Sequence, residues 1–175
     1  MRQKALRICG WSVAALLLVG CATRPVAPLA DIHLVRHAEK VDSSRDAALS
    51  NAGHARAVDL ADRLSDAGIA YIYSTDYQRT RDTAAPLAER LGLDVRFYDP
   101  SELDALARTL RGLPDNSLVV GHSNTTPKLV AVLGGSPGPA IDEAREYNRL
   151  YILSQGASGQ RSVHTELQAY GEPMR

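Results

Sequence analysis

Apolar and polar positions along this chain follow two periods, and the switches between them outline the fold. Ile32-His33-Leu34-Val35 is a short apolar run with β-branched residues that stops abruptly at Arg36 and His37, the form of a buried strand with two basic side chains at its carboxyl end. Ala57, Leu60, Ala61, Leu64 and Ala67 then recur at helical spacing. Arg56, Asp59, Asp62, Arg63 and Asp66 occupy the opposite face, and Gly68 follows as a stop. Tyr71 to Ser74 reads as a second strand. The next helix has the stripe Ala84, Leu87, Ala88 and Leu91 and ends at Gly92, with Pro86 inside it expected to bend it or shift its start.

The alternation continues to the end of the chain. Val95 to Tyr98 is a third, outer strand, and Ser101 with Asp104 three residues on has the form of a cap for a helix striped by Leu103, Leu106, Ala107 and Leu110. Ser117 to Val120 is a central strand ending at Gly121-His122. Thr126-Pro127 reads as cap and first-turn proline of the next helix, closed by Gly134-Gly135. Leu150 to Leu153 and Val163 to Leu167 complete the sheet. Strands alternating with helices of this length predict an α/β fold, a three-layer α/β/α sandwich with a mostly parallel central sheet.

The first 20 residues stand apart from this pattern. Arg2, Lys4 and Arg7 precede an apolar run, Trp11 to Val19, that is too short to span a bilayer, so residues 1–20 read as an export signal. The run ends in Leu18-Val19-Gly20-Cys21, which resembles the processing site of bacterial lipoproteins, with Cys21 as the lipidated first residue. Cys9 and Cys21 are the only cysteines, so a processed chain has no thiol left for a disulfide or a metal. Residues 21–30, with Pro25 and Pro28, have the character of a tether. Residues 31–175 are the size of one domain. Lipidation at Cys21 places the protein in the cell envelope, on the periplasmic face of the outer membrane if the host is Gram-negative.

Charge and composition remove some functions. Twenty Lys and Arg balance twenty Asp and Glu, and without Arg2, Lys4 and Arg7 the remainder carries about −3. A mildly acidic surface with 5% aromatics does not suit nucleic-acid binding, which needs a basic footprint or stacking residues. The histidines are scattered, and His33 and His37, on a strand leading into a loop, share no helical face. No metal and no cofactor are therefore expected.

In a parallel sheet, sites form at the carboxyl ends of strands. Arg36-His37, Arg79 and His122 are all expected at that edge. Guanidinium groups match the several oxygens of a phosphoryl group, so Arg36 and Arg79 suit a clamp. A neutral imidazole attacks phosphorus near pH 7 and carries the group as an intermediate, the role expected of His37. His122 is placed to donate to a phosphoryl oxygen as charge develops.

Four segments together resemble the histidine phosphatase superfamily, the phosphoglycerate-mutase-like fold, across nearly the whole of residues 31–175. Leu34-Val35-Arg36-His37-Ala38-Glu39-Lys40 is similar to the opening Arg-His motif. Leu49-Ser50-Asn51-Ala52-Gly53 resembles the turn into the first long helix. Ser74 to Ala84 resembles the segment with the second phosphate-binding arginine, which maps to Arg79. Val119 to Asn124 resembles the segment with the second catalytic histidine, which maps to His122. The resemblance implies a phosphohistidine on His37, with Arg36, Arg79 and His122 binding phosphate.

Three departures from the family pattern qualify it. Ala38 stands where many members have glycine, so the loop must be open to L-residues. The chain has little room for the insertions that build a lid, so the site is expected to be open and suited to accessible or protein-borne phosphate. The general acid that members often carry near the third strand is unassigned: Asp99 competes with a turn role before Pro100, and Glu102 with a first-turn helix charge.

The remaining candidates have ordinary explanations. His33, His54 and His164 read as packing or surface groups, and Glu39 and Lys40 as solvated charges beside the site with a minor claim on substrate. The expected function is phosphatase action on phosphomonoesters or phosphoprotein groups through His37. The alternatives are a phosphoglycerate-mutase-like phosphotransferase and a non-catalytic phosphate-binding envelope lipoprotein. The expected partners are a phosphorylated small molecule or phosphoprotein, and the membrane through Cys21.

Overall fold

Strand β1, Ile32–Arg36, is buried along its whole length, as an apolar run must be when helices cover both faces of its sheet. The computed structural model describes residues 30–155 and 163–173. The signal segment 1–20, Cys21 and nearly all of the tether lie outside the described residues. After β1 come α1 (Asn51–Leu64), β2 (Ile69–Ser74), α2 (Gln78–Leu91), β3 (Val95–Phe97), α3 (Leu103–Arg111), β4 (Asn116–Gly121), α4 (Thr125–Val132), β5 (Arg149–Gln155) and β6 (Val163–Ala169). The six strands form one sheet in the order β3-β2-β4-β1-β5-β6. Among the described residues, no helix is long and apolar enough to cross a membrane.

The sheet divides two cores. Ile32 and Leu34 face Tyr73, Val119 and the stripes of α3 and α4, with Leu106, Leu110 and Leu129. Val35, Ile72, Leu118 and Val120 face Leu60, Leu64, Ala84 and Leu87 of α1 and α2. These are the three layers the periodicity predicts. The strands β1 to β4 run parallel, whereas β5 is antiparallel to β1 and β6 antiparallel to β5. The reason is the connection after α4, which carries the chain back to the carboxyl edge before β5 begins, so that Leu150 pairs with Val35 and Leu153 with Ile32. The returning segment 142–148 is thereby delivered beside the end of β1.

Helix ends follow the sequence in most places. Ser50 caps α1, its hydroxyl accepting from the Gly53 N–H at 3.1 Å. Gly92 ends α2 in the left-handed conformation. Pro86 lies inside α2, which starts at Gln78, so the proline does not move the start. Two cap assignments differ. Ser101 does not cap α3, because its N–H and hydroxyl both donate to Asp99 Oδ1, at 2.8 and 2.7 Å, and the cap residue is Glu102. Thr126 lies within α4 rather than at its cap, Asn124. Its hydroxyl donates across to the Val35 carbonyl at 3.2 Å and ties the helix to β1.

Gly53 is needed for a close approach. A Cβ there would stand 2.2 Å from the Glu39 carbonyl oxygen, the same oxygen that accepts from the Ser50 N–H at 2.9 Å. Alanine is the better helix former by about 1 kcal/mol, but the backbone contact cannot yield without moving the loop after His37, and such overpacking costs about 1–3 kcal/mol. Gly53→Ala should therefore lower the urea midpoint rather than raise it; a stabilised variant would show that the loop is free to shift.

Candidate active site

The register of the parallel strands brings the predicted residues together. Arg36 pairs with Gly121 and Ser74 with Val120, so β1, β2 and β4 end side by side. The ladder continues one residue further, the His37 N–H donating to the Gly121 carbonyl at 2.9 Å. Gly121 has no room for a side chain, since a Cβ would lie 2.8 Å from Thr126 Oγ1 and 2.9 Å from the Tyr98 hydroxyl. The His37 and His122 rings stand 5.5 Å apart, centre to centre, nearly edge to face. Arg79, in the first turn of α2, places Nη2 at 3.4 Å from His122 Nδ1.

Both imidazoles have assigned surroundings. His37 Nδ1 lies 2.7 Å from the Ala38 carbonyl, which can only accept, so the proton sits on Nδ1 and Nε2 keeps its lone pair. Ala38 itself is buried and donates its N–H to Thr83 Oγ1 at 3.0 Å. Among the described residues only glycines have positive φ, so the loop accommodates alanine without strain, as expected. Burial holds the His37 pKa down, to about 3, with the Arg36 and Arg79 charges adding to the effect against the Ala38 bond. His122 is lowered to about 4 by burial, then by Arg79, Arg36 and Lys40. Both are neutral at pH 7.

Arg36 is 1% exposed, and most of its donors are engaged. Nη1 donates to the Glu146 carbonyl at 2.9 Å and the Asp142 carbonyl at 3.5 Å, and Nη2 to the Glu143 carbonyl at 2.9 Å. Its Cζ lies 3.9 Å from the centre of the Tyr147 ring, a cation–π contact. Arg79 donates Nη1 to the Arg45 carbonyl at 2.9 Å and lies over Tyr77 at 4.4 Å. The Nε–H of each arginine is buried and has no partner among the described residues. Two unmet cationic donors beside a neutral imidazole make this region ready for an anion.

The sequence did not single out Tyr77, Tyr147, Thr75 or Thr83. Tyr77 packs edge-on against His122 at 5.3 Å, and Tyr147 lies 6.1 Å from His37. Tyr77 and the threonines lie in or beside the segment carrying Arg79, where their neighbourhood was visible. Tyr147 carried only the weak signal of an aromatic residue in a polar loop.

Other candidates lie elsewhere. The Glu39 carboxylate accepts from Arg56 Nε and Nη2 at 2.8–3.0 Å, so it is structural and not the solvated charge the sequence suggests. His33 is buried on the same strand face as Val35, and His54 and His164 are exposed. Asp99 lines an open groove of about 540 Å3 with Arg45, Asp46, Asp76, Tyr77, Tyr98 and Pro100. Its bonds from Ser101 hold its carboxyl below the usual range, which works against a proton donor. Glu102 is exposed and does not line the groove. No cluster of three metal-ligating side chains occurs among the described residues.

Residues 32–100 match the sequence model of the histidine phosphatase superfamily, branch 1. That match takes in Arg36, His37 and Arg79 and ends before His122. Over 73 residues it is 34% identical to the probable phosphoglycerate mutase GpmB of Escherichia coli O1:K1, a match covering 38% of this chain and 34% of that protein. The chain thus spans about a third of the length of the curated relatives it matches. The solved structure of the putative phosphohistidine phosphatase SixA from Agrobacterium tumefaciens superposes with a TM-score of 0.60 at 20% identity, covering 82% of this chain and 98% of that one. A mycobacterial glucosyl-3-phosphoglycerate phosphatase gives 0.59 at 20% identity, covering 82% and 99%. At such identities the likeness is one of fold, shared over 82% of this chain and nearly the whole of each solved structure.

The neutral buried histidines have a consequence for stability. His33, His37 and His122 all have folded-state values lowered from 6.5, each chiefly by burial. Below about 6.5 the unfolded chain takes up protons that the folded chain refuses, so their contribution is complete above 6.5 and declines as pH falls toward 4. The urea midpoint should drop between pH 7 and 5, above the range where most carboxylates titrate; a flat profile there would contradict neutral burial of these rings.

Proposed function

We propose that this protein is a histidine phosphatase, a metal-independent phosphohydrolase that cleaves phosphomonoesters or phosphoprotein groups through a phosphohistidine on His37. The observation that carries this reading is the His37 tautomer. With Nδ1–H committed to Ala38, Nε2 presents an unprotonated lone pair beside two arginines that each keep a buried, unpartnered Nε–H. Arg36 and Arg79 bind the phosphoryl oxygens, and His122 completes the pocket. Fold relatives named as a phosphohistidine phosphatase and a sugar-phosphoglycerate phosphatase support hydrolysis as the reaction class.

A phosphoglycerate-mutase-like phosphotransferase is the second reading, supported by the curated relatives of that name. A non-catalytic phosphate-binding lipoprotein is the third, supported by the poor fit of Asp99 and Glu102 to the role of proton donor. For location, we propose a signal peptide over residues 1–20, lipidation at Cys21, a tether through residue 30 and a single domain from 31. That arrangement holds the enzyme on the envelope side of a membrane and presents the site to exported phosphate compounds.

Purified protein should hydrolyse a generic aryl phosphate and form an acid-labile, base-stable phosphoenzyme, and His37→Ala should lower kcat by more than about 1,000-fold. Tight phosphate binding without turnover would favour the binding protein, and transfer to an added acceptor alcohol in preference to water would favour the mutase. Cys21→Ser should abolish incorporation of labelled fatty acid and release the protein from membranes; undiminished attachment would remove the lipid anchor.

A further inference from the structure

Hydrogen-bond accounting around His122 assigns it a task beyond holding phosphate. Thr75 and Thr80 are fully buried behind its ring. Thr80 Oγ1 lies 2.8 Å from both the Thr75 and the Tyr77 carbonyls. Carbonyls only accept, so the single Thr80 hydroxyl proton points to them. Thr80 Oγ1 also lies 3.0 Å from Thr75 Oγ1, and with its proton used it must accept there, making Thr75 the donor. Thr75 Oγ1 in turn lies 3.0 Å from His122 Nε2. Its proton is spent on Thr80, so Nε2–H donates to it. His122 is thereby held as the Nε2–H tautomer with its lone pair on Nδ1.

A second contact agrees independently. Arg79 Nη2, which can only donate, approaches Nδ1 at 3.4 Å, as it does toward a lone pair and not toward an N–H. His122 therefore faces its arginine neighbour with an acceptor. It donates to a phosphoryl oxygen from that side only after receiving a proton, a correction to the role expected from sequence.

We propose that His122 is the proton carrier of the reaction, with Thr75 and Thr80 as positioning residues that keep Nδ1 free to accept; this rests on the phosphohydrolase reading. The substrate binds as the monoanion, and its P–OH proton passes to Nδ1. His37 Nε2 forms the N–P bond as the bond from phosphorus to the leaving oxygen breaks, and the Nδ1 proton goes to that oxygen, releasing a neutral alcohol. In the second half, the oxygen of water bonds to phosphorus and the N–P bond breaks. The proton lost by water passes through Nδ1 to the departing phosphate, and the His37 lone pair is restored. Nothing else is consumed. This supplies the acid that Asp99 and Glu102 are not placed to provide. The charged or titratable groups facing His122 are Arg79 from α2, Tyr77 before it, Arg36 and His37 from the end of β1, and Lys40 from the next loop.

The test compares leaving groups. A nitrophenolate departs without a proton, whereas an alkoxide requires one. In Thr75→Val, which keeps the shape and removes the hydroxyl, the ratio of kcat for an alkyl phosphate to kcat for p-nitrophenyl phosphate should fall by about 100-fold, the lower end of what a general acid contributes. Thr75→Ser should bring the ratio back. Nitrogen-15 NMR of the phosphate-free wild-type protein should show His122 as the Nε2–H tautomer, and this measurement decides the matter if the valine variant does not fold. An Nδ1–H tautomer, or a folded valine variant with an unchanged ratio, overturns the proposal while leaving the phosphohydrolase intact. Absence of turnover by wild type on both substrates overturns the phosphohydrolase reading, and the proton carrier with it.

Discussion

The site depends on a guanidinium kept almost out of water. Arg36 ends the most buried strand of the sheet, and a cation placed there is costly unless its donors are met. Three carbonyls of the segment after α4 meet them, with the Tyr147 ring stacked alongside. That segment is a turn held by its own bonds, among them the Glu146 N–H donating to the Asp142 carbonyl at 2.8 Å, and the arginine ties it to the end of β1. In return, the segment closes over the end of β1 and excludes water from His37. A single interaction thus fixes the position of Arg36 and the low-dielectric surroundings of the neighbouring imidazole.

Those surroundings account for the protonation states. Two arginines would in any case disfavour imidazolium, and burial is the larger influence on both histidines. What distinguishes them is the partner of the second nitrogen. His37 gives its proton to a backbone carbonyl, and His122 gives its proton to a threonine chain that ends on two carbonyls. Local backbone and hydroxyl geometry, with no carboxylate involved, therefore decides which nitrogen of each ring faces the pocket.

The alternation of elements and the two core faces were legible in the sequence because stripes such as Leu60, Ala61 and Leu64, and runs such as Leu118 to Val120, follow one period each. The convergence of Arg36, His37, Arg79 and His122 followed from their positions at strand ends in a parallel sheet. The threonine chain was not legible, since buried hydroxyls carry no periodic signal and their partners are backbone atoms. Nor was the loop over Arg36, because its contacts are made by carbonyls that every residue possesses. Ser101 and Thr126 show the same limit: a short hydroxyl side chain has several backbone groups in reach, and tertiary neighbours decided which it took.

The loop between His37 and α1 is pinned at its base and again at its tip, where the Arg45 carbonyl accepts from Arg79 and the Asp46 carboxylate accepts from the Gln78 N–H. Val41 donates to the Ala48 carbonyl, Ser50 donates to the Glu39 carbonyl, and Lys40 bridges to Leu49, while residues 41–46 are exposed. Arg45 and Asp46, in this exposed tip, line the groove beside the pocket. Substitutions there alter the groove lining and, where they move the Arg45 carbonyl, the seat of Arg79, while His37 stays on the end of its strand. A change in the tip therefore reaches the groove and Arg79 together, which couples what the groove can hold to how one of its two arginines is placed.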